Sequence, residues 1–236
     1  MWRRPMGMRN QWAIILAGGD GTRLQSMTRA ITGDNRPKQF VPVIGRSTLL
    51  DQTRKRVALS HIEVAIDAVK VQPETVMLLG ITPTAPETEY GWIEPEPSIL
   101  ATAEKSITRV RKFWEKPDLS LATSLMERGC LWNSFVMVGR VDALLKMTRA
   151  ALPEMHDAFA AIKPTFETAS EHTALGELYS RIDDTNFSHQ VLAVRPEDLM
   201  VMKVADVGWS DLGEPNRVLS TLAQIGMQTQ LARSAS

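Results

Sequence analysis

One cysteine, Cys130, stands in a chain of 236 residues. No disulfide can form within it, the usual pattern of a reducing compartment. Cys130 lies in an apolar, strand-like run, so it is expected to be a buried structural thiol and not a nucleophile. Charge of one sign is not in excess either: 27 Lys and Arg balance 27 Asp and Glu. That excludes a global basic field for nucleic acid and an acidic tail for a basic partner. No apolar run nears the roughly 20 residues that cross a bilayer. The opening MWRRPMGMRNQ has arginines but no adequate apolar stretch after it, so it is expected to be a frayed extension and not a signal peptide. No triad spacing of a Ser or Cys nucleophile is visible. His156 and His172 have no metal-ligand spacing with each other or with the cysteine. Internal repeats and low-complexity tracts are absent. The expectation is a soluble, cytoplasmic protein.

What is present suits a layered fold. At 44% hydrophobic the chain can bury a sizeable core, as one domain over 1–236. Strands are expected at 12–17, 75–81, 90–94, 107–117, 129–139, 190–196 and 199–207. Several are nearly continuous apolar runs, which suit strands covered on both faces. Helices are expected between them. Asp118 opens LSLATSLMER and Gly129 closes it; VDALLKMTRAAL stops at Pro153. The polar stretch 161–188 should hold a short helix with flanking loops, and a helical tail should begin at about 212, with Pro215 in its first turn. The fold class expected is α/β, a mostly parallel, Rossmann-like sheet with flanking helices. The tryptophans at 12, 92, 114, 132 and 209 are expected in the core, since no basic clusters interleave with them. The 12 methionines are scattered gap-fillers.

The most informative stretch is LAGGDGTRLQSMTRAITGDNRPKQF, from Leu16 to Phe40, directly after an apolar run. A glycine-rich turn between strand and helix lets backbone N–H groups approach phosphate oxygens closely. Gly18, Gly19 and Gly21 supply that turn directly after Leu16 and Ala17, and Thr22 adds a hydroxyl. Arg23 adds a forked, delocalised charge suited to phosphate, and Lys38 a point-like one. The turn is neither a Walker A loop, since no Gly-Lys-Ser/Thr follows, nor a GxGxxG fingerprint. On the glycines alone, a tight turn with a solvated arginine explains it equally well.

GGDGTRL followed by RPKQF resembles the signature of the sugar-phosphate nucleotidylyltransferases, and the RPKQF form looks most like that of the mannose-1-phosphate guanylyltransferases. Further stretches agree in the family's order. Thr88–Glu94 (TEYGWIE) resembles TEYGYIE, in which a glutamate and backbone groups bind sugar hydroxyls. Phe113–Pro117 (FWEKP) resembles FxEKP, whose glutamate and lysine contact the sugar phosphate. Leu131–Ser134 (LWNS) resembles WNSG, whose asparagine reads the sugar. Gly208–Gly213 (GWSDLG) resembles GWxDxG, whose aspartate holds Mg²⁺. Singly, each but the first has a plainer explanation: an exposed hairpin, a solvated Glu–Lys pair, a helix cap. Together and in order they are improbable as coincidence.

The resemblance implies transfer of a guanylyl group from GTP to mannose 1-phosphate, giving GDP-mannose and pyrophosphate. It implies Arg23 and Lys38 as catalytic, the 16–22 turn as nucleotide-binding, Glu89, Gly91, Glu115, Lys116 and Asn133 on the sugar phosphate, and Asp211 on Mg²⁺. The partners are then GTP and mannose 1-phosphate, with neither nucleic acid nor membrane; a homodimer stays open. Another nucleotide and sugar pair, or a non-catalytic regulatory subunit, are the alternatives.

The pattern breaks in three places. Family members carry several more strands and helices after the first helix, with a second metal-binding aspartate in a Pro-x-Asp-His-like motif. Residues 50–81 here pass from one helix-like segment into another, so a segment is expected to be missing near 60–62. The preferred explanation is residues omitted from the sequence as written, ahead of a genuine deletion or a partner chain that supplies the part. His61 is a weak remnant of the lost motif, and Asp67 lies on a helix pattern. Phe135 stands where the family has glycine. Asn186–Val191 replaces the family's common Ser-x-Asp-Tyr-Ala-x-x-Glu, and His189 is expected to be a loop histidine.

Overall fold

The computed structural model describes residues 25–36, 40–42, 48, 59–97 and 106–204. The chain divides into two compact units, residues 57–209 and residues 1–56 with 210–236. In the latter, α1 (Gln25–Thr32) ends where Gly33 takes a left-handed φ of 77° and donates its N–H to Arg29 O at 2.8 Å. Glycine meets that conformation without the Cβ penalty of other residues, which is why helices stop there.

The unit 57–209 carries α2 (Leu59–Val71), β1 (Val76–Ile81), β2 (Gly91–Pro95), β3 (Ile107–Glu115), α3 (Leu119–Glu127), β4 (Leu131–Val138), α4 (Val141–Ala151), α5 (Pro153–Ile162), α6 (Glu171–Tyr179) and β5 (Leu199–Val204). The strands pair in the order β1-β4-β2-β3-β5, and β5 returns to β1, closing the sheet. Alternation along each strand sorts the core into two faces. Met77, Leu79, Trp92, Trp132, Met200 and Met202 share one with Ala65 and Val69 of α2 and Ala122 and Leu125 of α3. Leu78, Ile93, Phe113, Leu131 and Val201 share the other with Met147 of α4 and with Val191 and Leu192.

Local signals set the element ends. The Asp118 carboxylate accepts the Leu121 N–H at 2.8 Å at the start of α3, and Gly129 follows it at a left-handed φ of 75°. Pro153 stops α4 and opens α5, at the first-turn position where its missing N–H costs nothing. Trp92 and Trp132 are buried, as expected. Cys130 is buried too; burial first, then the nearby Glu94 carboxylate, pushes its thiol up to about 11.

One expectation is met in part and one is corrected. Among the described strands, the mostly parallel sheet is met at one pairing, β1 with β5; the other four are antiparallel. A continuous apolar run reports burial on both faces, not strand direction. The stretch 190–196 is no strand: it lies in a π-helical turn, Ser188–Leu192, and in what leads to a short 3₁₀ turn, Pro196–Asp198. The expected strand at 12–17 and helix at 212–226 lie outside the described residues. No described helix is long and apolar enough to cross a membrane.

Gly80 lets β1, β4 and β5 approach. A Cβ there would lie 2.7 Å from both Leu131 Cδ1 and Val201 Cγ2. Overpacking of that kind costs about 1–3 kcal/mol. Gly80→Ala should therefore lower the urea midpoint of unfolding without changing the slope; an unchanged midpoint would show that these strands relax freely.

Candidate sugar-phosphate site

Three strands carry the expected sugar-phosphate residues into one row. Gly91 faces Glu115 across β2 and β3. Trp92 faces Trp132 across β2 and β4, so the next step of the same antiparallel register sets Asn133 beside Gly91. Gly91 has no side chain, so the Phe113 ring and the Glu115 carboxylate can close in on its α-carbon. A Cβ on Gly91 would fall 2.7 Å from Phe113 Cζ and 3.2 Å from Glu115 Oε2. Beneath the row, Tyr90 and Trp92 meet Trp132 edge to face, with ring centroids 5.0 and 6.1 Å apart. The Trp92 indole donates to Glu87 O at 2.8 Å and fixes the turn before β2.

Both flanking side chains hold buried polar atoms without a protein partner: Glu115 Oε2 and Asn133 Nδ2. Asn133 is 1% exposed, and its Oδ1 accepts the Phe135 N–H at 3.1 Å. Its amide nitrogen is therefore the atom left without a partner. An unpaired buried donor or acceptor costs roughly 1–3 kcal/mol, so a pair of them in one row points to a ligand that supplies the missing bonds. One acceptor and one donor are what a polyhydroxylic molecule needs. Burial pushes the Glu115 carboxyl above its ordinary range; Lys116, His189, Asn186 and Ser188, in that order, work against the shift.

Backbone strain gathers here. Among the described residues three non-glycines have positive φ, and two flank this row: Lys116 at 48° and Phe135 at 59°. Residues 134–136 of β4 stand opposite the single Leu79 of β1. Ser134 Oγ holds this bulge by donating to Leu79 O and accepting the Val136 N–H. The bulge leaves Phe135, in the family's glycine position, 51% exposed at the rim. Such backbones cost about 1–3 kcal/mol each and persist where the surroundings enforce them.

The other expected residues sort as follows. Lys116 is exposed at the end of β3, its N–H donating to Tyr90 O at 3.2 Å. Glu89 is exposed in the turn before β2. Glu94, the second glutamate of TEYGWIE, is engaged elsewhere: it accepts the Trp114 indole N–H and an Arg128 N–H, both at 3.0 Å. Asp67 is exposed on α2 and pairs with Lys70 at 2.7 Å. His61 is buried on α2 with neither ring nitrogen hydrogen-bonded. Leu16, Ala17, Gly18, Gly19, Gly21, Thr22, Arg23, Lys38 and Asp211 lie outside the described residues. Among the described ones, no group of three or more His, Cys, Asp or Glu could hold a metal.

Sequence reasoning missed the turn 186–189. Its only signal was departure from the family's pattern. The structure sets Asn186 and Ser188 toward the Glu115 carboxyl, and His189 stands exposed on the same turn, Ser188–Leu192.

A family model described as Nucleotidyl transferase matches residues 12–77 and 63–227. The xanthan biosynthesis protein XanB of Xanthomonas campestris pv. campestris (strain B100) is 24% identical over 290 aligned residues, taking in 90% of this chain and 60% of that protein. A mannose-1-phosphate guanylyltransferase of Escherichia coli is 26% identical over 277, taking in 85% of this chain and 57% of that protein. The chain thus spans well under two thirds of the length of either relative. Among solved structures, a mannose-1-phosphate geranyltransferase from Thermus thermophilus shares the fold, with a TM-score of 0.53 at 24% identity over 69% of this chain and 43% of that one. The two matched stretches take in most of the 236 residues, and the chain belongs to the nucleotidyl transferase family.

Proposed function

We propose that this chain transfers a guanylyl group from GTP to mannose 1-phosphate, giving GDP-mannose and pyrophosphate in the cytoplasm. The observation that carries this reading is the row Glu115–Gly91–Asn133, with a buried acceptor and donor left for a sugar and Lys116 at its edge. The names of the relatives support the choice of base and sugar.

The chemistry needs no side-chain nucleophile. A phosphate oxygen of the sugar 1-phosphate attacks the α-phosphorus of GTP. A phosphorus–oxygen bond forms there while the α–β bridging bond breaks, and its electron pair leaves with pyrophosphate. The difficulty is bringing two anions together and holding charge at the α-phosphorus, so positioning and electrostatics do most of the work. In this proposal the 16–22 turn admits the triphosphate, Arg23 stabilises the transition state and Lys38 neutralises the α-phosphate. Glu115 and Asn133 orient the sugar, the Gly91 backbone lines its site, and Glu89 and Lys116 border it. Mg²⁺ would join through Asp211, phosphate oxygens and water, adding positive charge to the phosphates.

A second reading is a nucleotide-sugar binding subunit without turnover. It draws on the length of the match: 290 aligned residues exceed the 236 of this chain, so at least 54 positions face no residue here. The two family-matched stretches also overlap at 63–77, close to the expected gap, where the family's second metal aspartate would lie. Pyrophosphate release from a panel of nucleoside triphosphates with mannose 1-phosphate separates the readings. Release with GTP alone supports the first; release with another triphosphate moves the base; binding without release supports the second.

Arg23→Ala should lower the release rate by orders of magnitude while leaving the circular dichroism spectrum unchanged; a near-normal rate would remove Arg23 from the mechanism. Glu115→Gln should weaken sugar-phosphate binding yet raise thermal stability at pH 7. A carboxyl whose pKa is raised by folding opposes folding when ionised, so stability falls as pH rises through the folded pKa. The advantage of the glutamine should vanish below about pH 4, where the wild-type carboxyl is protonated in both states. A stability difference independent of pH would refute the burial penalty at Glu115.

A further inference from the structure

The turn packed against β3 beside Glu115 is tied by hydrogen bonds of its own. Asn186 Oδ1 accepts the His189 N–H at 3.0 Å, and the Asn186 N–H donates to Gln190 Oε1 at 2.8 Å. The Ala193 N–H closes a wide π-helical turn by donating to Ser188 O at 2.9 Å. Val191 and Leu192 are fully buried with Phe113, Ile93 and Met147, which pins the turn to the face of the sheet that Glu115 shares. Single π-type turns inside helical segments recur at functional sites, because they re-aim one or two side chains.

The turn begins with Ser188 and His189. Ser188 is 3% exposed and, with Asn186, faces the Glu115 carboxylate; His189 is exposed and near enough to act on the same carboxylate, as Lys116 does. The site is therefore layered. A buried acceptor and a buried donor lie at the bottom, Glu115 Oε2 and Asn133 Nδ2. Lys116 and His189, both exposed, lie on separate elements, the end of β3 and the turn packed against β3 through Val191 and Leu192. A polyol with one phosphate fits that order: hydroxyls inward, phosphate outward.

Resting on the function proposed above, we propose that His189 is a further substrate-binding residue, which joins Lys116 in holding the phosphate of the sugar 1-phosphate. One charge-assisted hydrogen bond is worth about 1.5–3 kcal/mol, so its loss should weaken binding roughly 10- to 150-fold.

The test is calorimetric titration of the full chain with mannose 1-phosphate and, separately, with GTP, for wild type, His189→Gln and His189→Lys. His189→Gln should weaken mannose 1-phosphate binding at least tenfold and leave GTP binding unchanged. His189→Lys should recover most of the loss, which a merely structural histidine would not do. His189 is exposed, so both variants should keep the wild-type melting temperature. Equal mannose 1-phosphate affinity in wild type and His189→Gln overturns the role of His189 and leaves the proposed function standing. A parallel loss of GTP binding assigns His189 to the nucleotide and also overturns the proposal. No mannose 1-phosphate binding by the wild type overturns both.

Discussion

The register of three antiparallel strands organises this protein's candidate site. Gly91 sits between Glu115 and Asn133 in one row, and its bare α-carbon lets the Phe113 ring and the Glu115 carboxylate close in. The register of β2 with β3 and with β4 creates the row. The tryptophans one step along, Trp92 and Trp132, point to the opposite face and lock that register by packing. A slip of one residue would exchange the two sets and bury indoles where carboxylate and amide now stand. Site and core are therefore two readings of a single alternation.

The cost of the arrangement is visible around it. Glu115 Oε2 and Asn133 Nδ2 are buried without protein partners, and Lys116 and Phe135 hold left-handed backbones on either side. None of these helps the chain fold. Their coincidence at one end of β2, β3 and β4 is what a binding site looks like when stability has been given up for preorganisation.

Much of the fold was legible. Apolar runs located β1 to β5 to within a few residues, because the strands are short, buried and bounded by Pro, Gly and Asp. Strand direction was not legible, since both parallel and closed antiparallel sheets bury a strand on both faces. The run QVLAVRP misled for the same reason: Val191 and Leu192 are buried side by side, which suits a strand or a helical turn alike. For the site, the ordered family motifs brought Gly91, Glu115, Lys116 and Asn133 to one place. The 186–189 turn was not legible, because its contact with Glu115 joins residues about seventy positions apart and no local pattern records it. The two glutamates of TEYGWIE were separable only in three dimensions, where Glu94 is bound to Trp114 and Arg128.

The central claim is that a nucleotide sugar binds over the Glu115–Gly91–Asn133 row, whether or not the chain turns it over. Hydrogen–deuterium exchange of the full chain with and without saturating GDP-mannose tests it most directly. The account predicts slower exchange at the amides of 89–92, 115–116, 133–136 and 186–190, with α5 and α6 unchanged. Protection confined to other segments, or none at all at saturation, would contradict it.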